Sequence, residues 1–300
     1  MRSSIAPATN SFPLFGAAMI LFHHTAVSFA EAILVSQLNR GHVTRRAGEP
    51  LRDVVWLTTD GNHRDHGLTE GEQLDQVHRP YVEKVEQTKL RRGRVWTADK
   101  TRIRIQVKIP TRDRKLANYT TWSKKHDGPK FAKMMGISCV TDIRNVSAVE
   151  LDRLMSTTAT KEETWFLSFR PIDPQEFEEV LYRTDDGYIQ YDFEQHGRAE
   201  LEKVGIYAAD QKSLDELSVV LRPRHRFDRP GAVVTCADLS MPANVVLRGG
   251  GVNVAFDLAT RRVLEGEPGQ HGQELAAWVD RHHHSLNDAW EKSRAQLASY

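Results

Sequence analysis

Apolar and polar residues alternate most strictly over 101–109. There Ile103, Ile105, Val107 and Ile109 share one face and Arg102, Arg104, Gln106 and Lys108 the other, the period of a half-buried strand. Three shorter apolar runs predict buried strands: 19–25, 53–59 and 164–170, the last closed by Pro171-Ile-Asp-Pro174. Ser28-Phe-Ala-Glu31 reads as a capping box, in which serine and glutamate satisfy each other's backbone amides, so a helix is expected from there to the glycine stop at Gly41. Residues 60–67 carry turn chemistry, 69–90 have helical or mixed character, and 131–155 read as mainly helical. Beyond Gly231 the pattern predicts strands at 231–236, 244–248, 252–258 and 262–265, with Gly249-Gly-Gly251 as a hairpin turn. One helix is then expected from Gln273 to about Leu297, its apolar stripe formed by Leu275, Trp278, Val279, His282, Leu286, Ala289 and Trp290.

At 300 residues the chain suits two modest domains, and 40% hydrophobic with 27% charged residues excludes a disordered chain. Cys139 and Cys236 have no CxxC or Cys/His spacing, which excludes a zinc ribbon or a disulfide scaffold and points to a reducing cytoplasm. The apolar run from Phe12 to Phe22 falls short of the roughly 20 residues that span a bilayer, so residues 1–18 are expected as an extension and no membrane partner is expected. His63-Arg-Asp-His66 and His282-His-His284 lack metal-ligand register, and no metal is expected.

Charge changes the picture. Residues 89–133 hold 15 Lys and Arg against 3 Asp and Glu, whereas 146–216 hold 7 against 17. Arg91, Arg92 and Arg94, with Trp122 among the neighbouring aromatics, suit single-stranded nucleic acid through backbone charge and base stacking. The alternative is that the basic and acidic stretches neutralise each other within the fold. Arg102 and Arg104 present two guanidinium forks suited to the phosphate oxygens of a pyrophosphate or RNA backbone, or else a solvated face paired with the acidic segment. His23 and Thr25 share a strand face and His24 takes the other. An imidazole beside a hydroxyl suits a ribose, and a structural histidine at a strand end is the alternative.

Phe22-His-His-Thr25, Val54-Val-Trp-Leu-Thr-Thr59, Arg102-Ile-Arg-Ile-Gln-Val107 and Trp165-Phe-Leu-Ser-Phe-Arg-Pro-Ile172 follow in an order that resembles small prokaryotic ADP-ribosyltransferase-like proteins, over about 19–172. The resemblance implies NAD as cofactor, with His23 on the nicotinamide-side ribose, Thr25 supporting it, and Trp56 and Thr58 lining the cleft. The family's catalytic glutamate on a late strand has no clear counterpart. Glu163 stands just before the Trp165 strand and is the catalytic candidate, with Glu176, Glu178 and Glu179 after that strand. Residues 230–295, through Val254–Gly266, Leu275-Ala-Ala-Trp278 and Asn287-Asp-Ala-Trp-Glu291, resemble a small prokaryotic family of unknown function found near toxin–antitoxin genes.

The expected architecture is therefore α+β. An ADP-ribosyltransferase-like mixed domain spans 19–174, an acidic connector 175–229, and a small domain of β-hairpins and a helix 230–300. The expected function is a toxin-like or defence-type effector, cytoplasmic, that binds NAD or a nucleotide and transfers ADP-ribose to a nucleic acid or protein, with a toxin or antitoxin as protein partner. The alternative is a non-catalytic nucleic-acid-binding or antitoxin-like module using the 89–133 stretch.

Overall fold

The computed structural model describes residues 18–44, 50–74, 96–126, 137, 146–157 and 163–299. In chain order the first part supplies β1 (Ala18–Thr25), α1 (Val27–Val35), the hairpin β2 (His42–Thr44) and β3 (Pro50–Arg52), β4 (Val55–Thr58), β5 (Ile103–Pro110), β6 (Leu116–Asn118), α2 (Tyr119–His126), α3 (Ala148–Thr157), β7 (Trp165–Ser168), β8 (Phe177–Thr184) and β9 (Gly187–Gln190). The strands other than the hairpin form an antiparallel sheet in the order β6-β7-β4-β1-β5-β8-β9. The alternation in β5 decides its two faces: Ile103, Ile105, Val107 and Ile109 are fully buried against Leu21, Leu57 and Val180 and, from α1, Val27, Ala30 and Leu34.

The capping box does not form. Helix α1 starts one residue before Ser28, its N-cap Ala26 has no side-chain cap, and the Ala26 carbonyl accepts the first helical amides. Glu31 is drawn away instead, accepting from Tyr191 Oη at 2.7 Å and pairing with Arg229. The helix ends at Val35 rather than near Gly41, because Leu38 already exchanges both backbone hydrogen bonds with Ile172. Of the helix expected over 131–155 only α3 is described, and 75–95, most of the region read as mixed, lies outside the described residues.

The acidic segment 175–229 is not a connector. Its strands β8 and β9 extend the first sheet, and after a π-helical turn (Phe193–Gly197) and α4 (Arg198–Lys203) it contributes β10 (Ile206–Ala208) and α5 (Gln211–Val220) to the second unit. That unit continues with β11 (Gly231–Thr235), β12 (Asn244–Gly249), β13 (Val252–Asp257) and β14 (Val263–Gly266), an antiparallel meander in the order β10-β11-β12-β13-β14. Helices α6 (Gly272–Arg281) and α7 (His283–Ala298) join α5 in covering one face, around Trp278, Leu217, Leu247 and Phe256. The single helix expected from Gln273 is thus interrupted at His282, whose ring is held by α5 through Ser213 Oγ (3.1 Å) and Glu216 Oε2 (3.0 Å). Among the described residues no helix is long and apolar enough to cross a membrane.

Between β12 and β13 the three glycines take φ of 125°, 58° and 79°, a left-handed path that favours residues without a Cβ. Buried Asp228 holds this turn, accepting from the amides of Gly250 at 3.2 Å and Arg224 at 2.8 Å. Asp228→Ala removes the acceptor of two partly buried amides and is expected to cost about 1–2 kcal/mol, read as a lower urea midpoint; an unchanged midpoint would refute this role.

Candidate functional site

Strand β1 pairs with β5 along its whole length, from Ala18 opposite Pro110 to Thr25 opposite Ile103. With β4 it registers only at Phe22 opposite Thr58. Beyond that pair the sheet parts, and the His23 ring bridges the seam, with Nδ1 2.9 Å from the Trp56 carbonyl oxygen. A carbonyl only accepts, so the proton sits on Nδ1 and Nε2 is left as an acceptor. Burial pushes the His23 pKa down to about 4, against a smaller upward effect of the Trp56 carbonyl, and the ring is neutral at pH 7. Thr25 shares its face and is buried.

The remaining residues expected in the same cleft lie on the opposite face. Register places Arg104 across from His24, and Thr58 across from Phe22, so alternation separates all of them from His23. Trp56 is half-buried, packs edge-on to Tyr119 and Trp165 at 4.8 and 5.5 Å and donates through Nε1 to the His42 carbonyl, so it is engaged in packing at the edge of the core. The buried Thr58 hydroxyl accepts from the Asp60 amide and closes a turn. Arg102 pairs with Asp99 at 2.8 Å. The cofactor set expected from the sequence is therefore divided between two faces.

Glu163 is exposed and precedes Trp165, which registers with Thr58 and through it with Phe22. It therefore lies two strands across from β1 and past the far end of the seam, roughly 10 Å or more from His23 by strand spacing. Glu176 is gripped bidentately by Arg170, Glu178 lies 3.9 Å from Lys108, and Glu179 is exposed opposite Gln106. None of the four glutamates flanks His23. Trp122 is also misplaced for base stacking, being buried against Tyr119, His126 and Phe169. Arg91, Arg92 and Arg94 lie outside the described residues; Arg112, Arg114, Lys115, Lys124 and Lys125 of the basic stretch are exposed.

The sequence brought His66 forward only as a metal ligand, and its place in the fold is structural. It is fully buried, its Nδ1 accepts from Trp165 Nε1 at 2.9 Å, and its Nε2 faces Asp60 at 3.5 Å. The signal was available, because a buried tryptophan N–H needs a partner and the loop 60–67 carries two histidines. The W-x-x-S-x-x-P-I motif then resolves into structural roles. Trp165 anchors that loop, Ser168 closes a turn onto the Arg170 carbonyl at 2.9 Å, and Ile172 bridges Leu38.

A groove of about 500 Å³ separates β8 and β9 from the loop that precedes β11. Its arginines are engaged, Arg229 with Glu31 and over the Phe193 ring at 3.8 Å, Arg226 with the carbonyls of Phe177 and Glu178. Among the described residues no group of three metal-ligating side chains converges. The chain matches no protein-family model, no curated protein and no solved structure.

Proposed function

We propose that the chain binds NAD or a related nucleotide at the seam between β1 and β4 and transfers its ADP-ribose to a nucleic acid or protein. The observation that supports this reading is the His23 ring, fixed by the Trp56 carbonyl with Nε2 as an acceptor for a ribose hydroxyl. Its lowered pKa suits it to holding the ribose rather than to moving protons. In the transfer, the bond from nicotinamide nitrogen to ribose C1′ breaks and nicotinamide leaves with the electron pair. An oxygen or nitrogen of the acceptor bonds to C1′ and releases its proton to water. A toxin-like or defence role, and a toxin or antitoxin partner, rest on the two family resemblances.

The test is a melting curve with and without NAD, accompanied by assay of released nicotinamide. At a hundredfold excess over Kd, binding to the folded state adds about 2.7 kcal/mol, a rise in Tm of about 4 to 10 °C for a chain of this length. His23→Ala is expected to abolish the rise; an equal rise in that variant, or none in the native chain at millimolar NAD, would overturn the reading.

A second reading, nucleic-acid binding without catalysis, is favoured by the exposed Arg112, Arg114, Lys115, Lys124 and Lys125 on the β5–β6 turn and α2. It requires affinity for RNA or DNA that falls steeply as salt rises.

A further inference from the structure

Four side chains stand in a row across four neighbouring strands on the face opposite His23: His24 on β1, Arg104 on β5, and Arg183 and Tyr188 on β8 and β9. His24 registers with Arg104, and Arg183 with Tyr188. The Arg104 guanidinium lies 4.0 Å from the Tyr188 ring centre and 5.1 Å from that of Phe22, and its Nη1 donates to the Gly61 carbonyl at 2.7 Å. It has no carboxylate partner among the described residues. Arg183 donates to His63 Nε2 at 3.2 Å and shares the single carboxylate of Asp99 with Arg102.

Hydrogen bonding here is incomplete in one particular place. His24 is only 6% exposed, with the Asp60 backbone as the acceptor beside its ring, and the buried Nε atoms of Arg104 and Arg183 have no partner. Buried polar atoms are almost always paired, and a cluster that is not has room in its chemistry for a further acceptor. Of the three guanidinium groups Arg102 and Arg183 share the Asp99 carboxylate, and Arg104 pairs with none among the described residues. Burial, together with His66, His23 and Arg104, keeps His24 neutral, so its ring adds nothing to the repulsion.

We propose that this row is a binding site for a phosphate group. Guanidinium forks match phosphate oxygens in number and direction, and an anion of that valence would neutralise Arg104 and Arg183 beside the uncharged His24 ring. The proposal does not rest on NAD binding at the seam, since the two sites occupy opposite faces of β1. The phosphate could belong to a free nucleotide-sized ligand or to a polynucleotide backbone.

Calorimetric titration of the full chain with inorganic pyrophosphate and, separately, with a short single-stranded RNA distinguishes these sources. Arg104→Gln and Arg183→Gln are expected to weaken binding by about tenfold or more, whereas Lys124→Ala leaves pyrophosphate binding unchanged. Pyrophosphate binding lost in both glutamine variants supports the site with a small ligand; RNA binding alone, lost in the same variants, supports it with a polynucleotide. If either variant fails to fold, the His24 ring signal of the native chain, followed by NMR, must move as the ligand that binds is added. Absence of binding by both ligands, binding unaltered by the glutamine substitutions, or a stationary His24 signal would overturn the proposal.

Discussion

Replacing Trp278 by alanine is expected to destabilise the second unit by about 3–5 kcal/mol, the range for removing a fully buried large aromatic side chain. The indole is fully buried and touches most of what holds that unit together. It packs between the sheet and α5, its Nε1 donates to the Ser213 carbonyl at 3.0 Å, and its ring lies 4.6 Å from that of His282 at the junction of α6 and α7. Alanine at 278 therefore leaves a cavity, removes the hydrogen bond to the Ser213 carbonyl and loosens the helix junction together. Urea unfolding followed by far-ultraviolet circular dichroism measures the change, and a loss below about 1 kcal/mol would show that the neighbouring helices carry the core without it.

Acid is expected to begin destabilising the first unit near pH 6.5, above the range in which carboxylates titrate. His23 and His24 have pKa values pushed down to about 4 and about 3, chiefly by burial. In the unfolded chain both titrate near 6.5. Below that pH the unfolded chain binds more protons than the folded one, so stability falls as pH drops from 6.5 towards 4 and is fully present above about 7. Each pKa unit is worth about 1.4 kcal/mol, and the two rings repel each other once charged, so a combined loss of at least ~3 kcal/mol between pH 7 and pH 4 follows. His24→Leu should flatten the curve. Urea midpoints independent of pH from 7 to 5 would remove this account.

How far these two units could be read in advance depended on whether the deciding contacts were local. The alternation in 101–109 announced β5 and its buried isoleucines, because a period of two is a property of the strand alone. The glycine hairpin at 249–251 was legible for the same reason. Ser28 and Glu31 had the spacing of a cap, but Glu31 meets Arg229, 198 positions away, and the long-range ion pair took precedence. The opposed directions of His23 and His24 were legible from alternation. That Arg104 falls beside His24 and not His23 depended on the register of β1 against β5, which no local pattern carries. Trp122 was legible as aromatic but not as buried, since its partners Tyr119 and Phe169 are brought together by α2 and the residues after β7.

The passage of the chain from one sheet to the other has a consequence for inheritance. Residues 230–295 do not close on themselves. The meander begins at β10, and α5 supplies Leu214, Leu217 and Leu221 to the core beneath Trp278. A gene broken near codon 230 would encode a product with that core laid open, whereas a break within the short stretch between β9 and β10 would leave each sheet with all of its strands. Within that stretch Tyr191 and Arg198 tie the halves together, the one through Glu31 and the other through the carbonyls of Ala208 and Ala209.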